Sequence, residues 1–346
     1  MQESLKLFYE SPPGTLAEHR PVKGRLKVRP EDFEVREVAL REPEGSGEHL
    51  YCWIEKVNLS TPELLGKLSR GLGVQTADLG IAGMKDKRAR TFQWISIPRS
   101  AESRLGELTD PSFKVHRRSP HPTRLRRGQL AGNRFRIRVR DVAAEEKPAL
   151  VAGAEALAVA GVPNYFGRQR FGNDGGNLET GLALLKGKRV GGGQMVRQLA
   201  VHSVQSLIFN MVLGERVREG LARTVLKGDV LLNLTTGMPV VARDLPREQE
   251  RLEQGIVGIS GPLMGGKMRR ARDEVARREA AALASLGISP EDFEGVSRMA
   301  PGARRLYWVG LSDLQVEWEE EDPVLEFGLP PGSYATTVFN ELLAPA

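Results

Sequence analysis

The sequence holds a single cysteine, Cys52, and only five histidines among its 346 residues. One cysteine cannot form an intramolecular disulfide or a thiolate metal cluster. No two histidines form an HExxH pair, so we expect no zinc site. No other cofactor signature is present, and the sequence therefore predicts a protein that needs neither a metal nor an organic cofactor. Cys52 itself lies in an apolar run, where a small buried thiol is the simplest interpretation.

Long apolar runs are also missing. No stretch reaches the roughly 18 apolar residues that a membrane-spanning helix requires, and residues 1–14 lack the apolar core of a signal peptide. We therefore expect a soluble, cytoplasmic chain with no membrane partner. The net charge is +6, from 50 Lys and Arg against 44 Asp and Glu. This modest excess is compatible with an acidic partner but does not identify one.

The first 140 residues show patterns that are typical of strands. Leu26–Val28 and Phe33–Val35 alternate apolar and polar residues, and His49–Val57 is a continuous apolar run, as expected of a strand buried on both faces. A helix is then predicted to begin with Thr61 as its N-cap and Pro62 in its first turn.

Helical patterns joined by glycine-rich loops dominate after Lys147. The predicted helices are Pro148–Ala160, Gln194–Glu219, Leu245–Gln254, Arg269–Leu286, Pro290–Val296 and, with Ser333 as N-cap, Tyr334–Leu343. Strand patterns resume at Arg305–Val309 and Leu314–Trp318. The simplest organisation is an α+β protein, in which a β-rich domain made from both chain ends is interrupted by a mainly helical insertion.

Residues 114–140 contain ten Lys and Arg and no acidic residue. Within them, residues 134–140 alternate arginine with apolar residues. On a strand, Phe135 would face a core while Arg134, Arg136 and Arg138 line the opposite face. Adjacent like charges repel, and a solvated sheet face usually mixes both signs, so this pattern favours a polyanion lying across the strand. We therefore predict that these three arginines contact an RNA backbone.

The segment Gly83–Gln93 places Asp86 among the cations Lys85, Lys87 and Arg88. Nearby cations favour an ionised carboxylate, which can act as a nucleophile or a general base. A charged turn between two strands explains the same residues equally well. Local chemistry alone therefore leaves Asp86 as one candidate among 44 acidic residues.

The segment Gly261–Lys267 fits the G-x-x-x-x-G-K pattern of a phosphate-binding loop. The next residue is Met268, whereas the motif requires Ser or Thr to ligate magnesium. Pro262 also removes one backbone N–H donor from the phosphate cradle. An ordinary glycine-rich loop is therefore the better interpretation, and a nucleotide-driven RNA enzyme is disfavoured.

Five segments together resemble the TruD family of pseudouridine synthases, over nearly the whole chain and in the family's order. The matching segments are Pro30–Phe33 (PEDF), Gly83–Gln93 (G-x-K-D-x-x-A-x-T-x-Q), Gly132–Phe135 (GNxF), Val162–Gly172 (VPNYFGxQRFG) and Leu329–Thr336 (LPxGS(F/Y)AT). Met84 stands where polar residues are common in the family. The resemblance implies a mixed, mainly antiparallel catalytic sheet, formed by residues 1–158 and 304–346. It also implies a mostly helical insertion over residues 159–303.

The resemblance also implies a function. It makes Asp86 the catalytic aspartate, places Phe33, Asn133 and Tyr334 at the border of the target nucleotide, and lets Phe135 stack on the uracil. Lys27 and Lys85 match basic positions of the family and are expected to give electrostatic support. The implied reaction is conversion of uridine to pseudouridine in tRNA, at position 13, with no obligatory protein partner. The alternative hypothesis is a non-catalytic RNA-binding protein that uses the basic strand of residues 134–140 and the helical insertion as a clamp.

Overall fold

The computed structural model describes residues 5–10, 12–14, 20–172 and 175–344, and its elements confirm the α+β class. The strands are β1 (Phe33–Ala39), β2 (His49–Val57), β3 (Gly80–Ile81), β4 (Arg90–Pro98), β5 (Phe113–His121), β6 (Leu130–Arg138), β7 (Val162–Pro163), β8 (Val230–Asn233), β9 (Pro239–Val241), β10 (Val257–Leu263), β11 (Ala303–Leu306), β12 (Trp308–Val309), β13 (Ser312–Glu319) and β14 (Asp322–Leu329). The helices are α1 (Thr61–Leu72), α2 (Glu102–Leu105), α3 (Lys147–Ala160), α4 (Gly176–Leu185), α5 (Gln194–Arg218), α6 (Leu245–Glu253), α7 (Asp273–Ser285) and α8 (Ala335–Leu342).

The main sheet is built from both ends of the chain. Its strand order is β13-β14-β6-β1-β4-β2-β5, with the short β3 paired to β4. Among the described strands of this sheet, β1 and β4 run parallel and the other neighbouring pairs are antiparallel. The sheet is therefore mixed and mainly antiparallel, as expected. The β13–β14 hairpin returns from far along the chain to lie beside β6, and this placement decides the environment of the arginines on β6.

Helix α1 shows how local sequence fixes the elements around the site. Its N-cap is Ser60, whose hydroxyl accepts from the Glu63 N–H while the Glu63 carboxylate accepts from the Ser60 N–H. Gly73 ends the helix in the left-handed conformation. The leucines at 64, 68 and 72 are buried against β2 and β4, and each contributes about 1.5–3 kcal/mol by burial. The prediction of Thr61 as N-cap is wrong by one residue.

A second region surrounds the long helix α5, which is buried along most of its length. Helices α3, α5, α6, α7 and α8 begin and end within four residues of the predicted bounds, whereas Pro290–Val296 forms a 3-10 helix rather than an α-helix. The same region contains a four-stranded sheet, β11-β10-β8-β9, that the sequence did not predict. Helices dominate it nevertheless.

The division into two domains remains our proposal. The described strands of the main sheet lie within residues 33–138 and 312–329, which agrees with a catalytic domain made of both chain ends. Strand β11 belongs to the second sheet, because it pairs with β10. A boundary at residue 304 would cut this strand, so we would move the boundary to the residue after Leu306.

Candidate active site

A cavity of about 520 Å³ opens where the main sheet meets the segment Pro331–Thr336. The loop that follows β3 forms one side of it, and the starts of β1 and β6 form the floor. Seven residues that the sequence nominated line this single cavity: Lys27, Phe33, Lys85, Asp86, Asn133, Phe135 and Tyr334. They come from four separate stretches of the chain, so the fold brings together residues that lie far apart in the sequence. Arg134, Arg136 and Arg138 do not line it.

The Asp86 carboxylate contacts Lys27. The Lys27 Nζ lies 3.1 Å from Asp86 Oδ2 and 4.0 Å from the centre of the Phe33 ring. About a quarter of each of the two charged side chains is exposed, so the pair faces the cavity without being sealed from it. The predicted strand Leu26–Val28 is wrong, because Lys27 adopts a left-handed backbone conformation, with φ of 56°. This chain bend precedes the turn at Pro30–Asp32, which leads into Phe33.

The cations next to Asp86 in sequence have other partners. Lys85 Nζ lies 2.5 Å from Glu37 Oε2, in a pair that is almost fully buried, and Lys87 Nζ lies 2.8 Å from Glu63 Oε1. Burial raises the pKa of Glu37, although the Lys85 ammonium opposes that shift. Of the two lysines expected to give electrostatic support, Lys27 contacts the Asp86 carboxylate, whereas Lys85 contacts Glu37.

Buried polar groups hold the backbone of the Asp86 loop. The Lys56 ammonium, fully buried on β2, donates to the carbonyl oxygens of Asp86, at 2.7 Å, and of Leu59, at 2.6 Å. Burial lowers the pKa of Lys56 to about 8, while the charge of Asp86 opposes this change. Without such contacts, the loop carbonyl would be a buried acceptor without a partner, at a cost of about 1–3 kcal/mol.

Thr61 ties the same loop to helix α1. Its hydroxyl accepts from the Lys85 N–H at 3.0 Å and donates to Gln93 Oε1 at 3.2 Å. Sequence reasoning missed both Lys56 and Thr61 as parts of the site. The available signal for Lys56 was a lysine inside an otherwise apolar strand, where an unpaired charge is costly.

Aromatic rings form the walls of the cavity. Phe135 packs edge-on against Phe33, with ring centres 6.3 Å apart, and stacks on Phe327 at 5.4 Å. Tyr334 lies edge-on against Phe166 at 6.0 Å. Because these rings are fixed by further rings behind them, the walls are rigid surfaces against which a planar base can stack.

Three buried polar atoms near the cavity have no hydrogen-bond partner among the described residues. They are Asn133 Oδ1, Ser333 Oγ and Thr336 Oγ1, and their residues line the cavity. Buried polar atoms without a partner are rare in folded proteins and call for a reason. A polar ligand in the cavity would supply these missing bonds.

The Val162–Gly172 segment supports Tyr334 from behind. Tyr165, Phe166 and Phe171 are buried in the core of the second region, so these rings pack inside the protein. A Cβ on Gly167 would lie 2.9 Å from Thr336 Oγ1 and 3.2 Å from the Tyr334 ring, so a larger residue here would displace the segment that carries both. Gln169 is the residue of this segment that lines the cavity, and the sequence analysis did not nominate it.

Arg305, from β11, fixes the segment that carries Tyr334. Its guanidinium donates to the Gly332 carbonyl at 3.0 Å and to the Asn164 carbonyl at 3.1 Å, and it stacks on the Phe166 ring at 4.1 Å. Burial lowers the pKa of Arg305 to about 10. Through this side chain, the second sheet supports the segment that forms one wall of the cavity.

The arginine row on β6 is neutralised, so the expectation of an unrelieved cationic face is wrong. Arg136 pairs with Glu326, at 2.8 Å, and with Glu319, and Arg138 pairs with Asp322 at 2.7 Å. Glu326 lies directly across from Arg136 in the β14–β6 register. Arg134 pairs with Asp313 at 2.9 Å. The argument that placed RNA on this face therefore loses its premise, because the relieving acids come from the distant β13–β14 hairpin.

The segment Gly261–Lys267, which fits the phosphate-binding pattern, begins within a strand. Gly261 and Pro262 lie in β10 and pair with Arg305 and Arg304 of β11, so the first half of the motif cannot form a cradle. The next helix, α7, begins at Asp273, six residues after Lys267. A phosphate-binding loop would lead directly into a helix, so the structure supports the ordinary-loop interpretation.

Comparisons with known proteins identify one family over most of the chain. The family model described as tRNA pseudouridine synthase D (TruD) matches residues 15–191 and 193–342. A tRNA pseudouridine synthase D of Anaeromyxobacter sp. (strain Fw109-5) is 39% identical, with 92% of each chain covered. A protein of that name from Thermus thermophilus is 39% identical, with 93% of this chain and 89% of the relative covered.

A solved structure shares the fold. The crystal structure of the Methanosarcina mazei protein assigned as tRNA pseudouridine synthase D (TruD) superposes with a TM-score of 0.71. It is 26% identical, and 94% of each chain is covered. In the described part of the chain, no helix is long and apolar enough to cross a membrane.

The fold, the carboxylate-bearing cavity and these relatives define an enzyme, an isomerase that makes pseudouridine. The chain belongs to the TruD family.

Proposed function

We propose that this chain converts uridine to pseudouridine in tRNA, at position 13, with Asp86 as the catalytic carboxylate. The observation that carries the proposal is the placement of Asp86 in a cavity of about 520 Å³ between aromatic walls. That volume lies within the roughly 300–1,000 Å³ of small-molecule sites and is large enough for one nucleotide. The names of the relatives support tRNA as the substrate.

The reaction breaks the N1–C1′ bond, turns the uracil and joins C5 to C1′. The C5 proton leaves to solvent and N1 gains a proton, so the formula is unchanged and no electron acceptor is needed. Asp86 could attack C1′, remove the 2′ proton or attack C6 of the base. Each of these roles requires the ionised carboxylate. The Lys27 ammonium, 3.1 Å away, compensates its negative charge.

The detached uracil has to stay in the site while it turns. Phe135 and Tyr334 would confine the ring between them, since both line the cavity and both are braced from behind. Asn133 Oδ1 would accept a hydrogen bond from a uracil N–H, which gives this buried atom the partner that it lacks among the described residues. Phe33 supports this wall and carries Lys27 above its ring.

The target uridine must leave its stack to enter the cavity, at a cost of a few kcal/mol. Contacts to the surrounding RNA would offset this cost. A tRNA substrate would also place the enzyme in the cytoplasm.

Asp86→Asn tests the proposal. An unmodified tRNA transcript carrying tritium at uracil C5 releases tritium when C5 joins C1′, and carbodiimide labelling with primer extension maps the product. We expect the rate to fall by roughly 10³-fold or more, with RNA affinity and folding retained. A transcript with cytidine at position 13 should give no product.

Asp141→Asn is the matched control. Asp141 is exposed and pairs with the exposed Arg25, so this variant should keep wild-type activity. Substantial activity in Asp86→Asn would exclude Asp86 as the catalytic group. Tight tRNA binding by the wild type without any pseudouridine would instead favour a non-catalytic RNA-binding protein.

A further inference from the structure

The connection between β5 and β6 carries arginines that have no carboxylate partner within the described part of the chain. Arg124, Arg126 and Arg127 are exposed, and none of them forms an ion pair with a described residue. Arg124 instead donates to the Leu79 carbonyl at 2.6 Å. Exposed arginines carry the same charge and repel each other, and no carboxylate of the described residues relieves that repulsion here.

The tip of this connection is a well-formed turn. The Gln129 N–H donates to the Arg126 carbonyl at 3.1 Å, and the Arg126 N–H donates to Gln129 Oε1 at 2.6 Å. Gly128 has φ of +88°, a conformation that favours glycine. Arg126 and Arg127 are exposed at this turn. We call residues 126–129 the basic turn.

The basic turn is attached to the loop that carries Asp86. The Gly128 N–H donates to the Ala82 carbonyl at 2.9 Å, and both Gly128 and Ala82 line the cavity. Leu125, the residue before the turn, is buried, and its N–H donates to Ser96 Oγ at 3.0 Å. The turn is therefore held at the rim of the cavity, with Arg126 and Arg127 adjacent to the lining residue Gly128.

We propose that Arg126 and Arg127 bind phosphates of the tRNA strand that adjoins the nucleotide in the cavity. The inference rests on the proposed function, because the strand can reach the rim only if its uridine enters the site. Unpaired guanidinium groups are suited to this contact: they present a planar fork of donors to phosphate, and no bound carboxylate has to be displaced first. The contact would hold the strand while its uridine is out of the stack.

The double variant Arg126→Gln with Arg127→Gln tests the assignment. The probe is an unmodified tRNA transcript, and binding is measured at several salt concentrations with the full-length chain. We expect the slope of log affinity against log salt to become shallower by about 1.5–2, with affinity about tenfold weaker at low salt. KM for tRNA should rise while kcat changes little, since neither side chain belongs to the catalytic cavity.

The control is Arg136→Gln with Arg138→Gln. It removes the same charge from the face of β6 on which the arginines pair with carboxylates, which we call the paired face. It should leave the salt slope unchanged, even if it lowers the melting temperature. Arg126→Lys with Arg127→Lys should keep most of the slope and the affinity, which shows that the charge is what matters.

An unchanged slope in the Arg126 and Arg127 double variant, with wild-type KM, would overturn the proposal. A shallower slope in the paired-face variant alone would return the phosphate contact to β6. Both results leave the proposed reaction standing, because that is decided by pseudouridine formation in the wild type and in Asp86→Asn.

Discussion

Two groups of arginines follow one another on the same stretch of chain, and the structure gives them opposite surroundings. Arg134, Arg136 and Arg138 on β6, with Arg140 just beyond it, all contact carboxylates. Arg126 and Arg127, in the basic turn before β6, contact none among the residues that the structure describes. In the sequence the two groups look alike, because no acidic residue occurs between positions 114 and 140.

The difference shows that a local charge pattern does not decide whether cations serve stability or binding. Arg138 and Arg140 share Asp322, and Arg140 also contacts Asp32. Asp322 lies more than 180 positions from these arginines in sequence, and the sheet alone brings it beside them. We therefore assign the paired arginines to holding the β13–β14 hairpin, and the unpaired ones to an external anion.

The largest effect is expected from removing the most buried acid of the paired group. Asp32 is almost fully buried, accepts from Arg140 at 2.6 Å and accepts from the Arg29 N–H at 2.9 Å. Asp32→Asn removes its charge and leaves the Arg140 guanidinium with weaker partners. We expect the free energy of unfolding to fall by roughly 2–3 kcal/mol in urea denaturation.

The pH dependence of stability provides a second measurement on the same variant. Burial raises the pKa of Asp32, but hydrogen bonds from Arg140 and the Arg29 N–H outweigh it and lower the pKa overall. Because the folded pKa is the lower one, this contribution is present above the unfolded value of about 3.9 and is lost as pH falls through the folded pKa. The difference in free energy of unfolding between wild type and Asp32→Asn should therefore narrow progressively as the pH falls below about 4. A difference that stays constant there would contradict the role of the charge.

A smaller effect is expected when the paired face is converted into an unpaired one. Glu319→Gln with Asp322→Asn removes acids that contact Arg136, Arg138 and Arg140. The freed guanidinium groups should attract RNA, so the salt dependence of tRNA binding should steepen by about 1 in slope. The gain in RNA affinity should be non-specific and appear with any tRNA. An unchanged slope would mean that something other than pairing separates the two groups.

The smallest effect is expected from Arg134→Gln. Arg134 and Asp313 are each about half exposed, and exposed ion pairs contribute roughly 0–1 kcal/mol. We expect the free energy of unfolding to change by less than about 0.5 kcal/mol and the salt slope of tRNA binding to stay unchanged. A slope shallower by about 1 would restore Arg134 as the RNA contact that the sequence predicted.

Much of the fold could be predicted from the sequence because its signals are local. His49–Val57 is a strand as its apolar run predicted, and the long helix at Gln194 was predicted to within one residue. The sheet of β8–β11 could not be predicted, because its strands are short and pair across long separations. The left-handed backbone conformation at Lys27 also escaped prediction, since an alternating apolar pattern carries no signal for such a bend.

The candidate site also has a part that the sequence predicted and a part that it did not. Asp86, Phe33, Asn133, Phe135 and Tyr334 were nominated from motifs, and the structure brings all five to one cavity. The groups that hold them were not nominated. Lys56 and Arg305 act through backbone carbonyls of other segments, and a motif does not record a hydrogen bond between distant stretches of chain.

The sequence by itself determined the class of the fold and the family, and it nominated the residues that we propose carry the chemistry, because these features reside in residue types and local spacing. Only the tertiary structure decided which cations are neutralised, which lysine meets Asp86 and what holds its loop. The physical reason is that charges and hydrogen bonds act over a few ångströms in space, whatever their separation along the chain. Lys27, 59 positions from Asp86, reaches its carboxylate, while the adjacent Lys85 pairs with a different carboxylate.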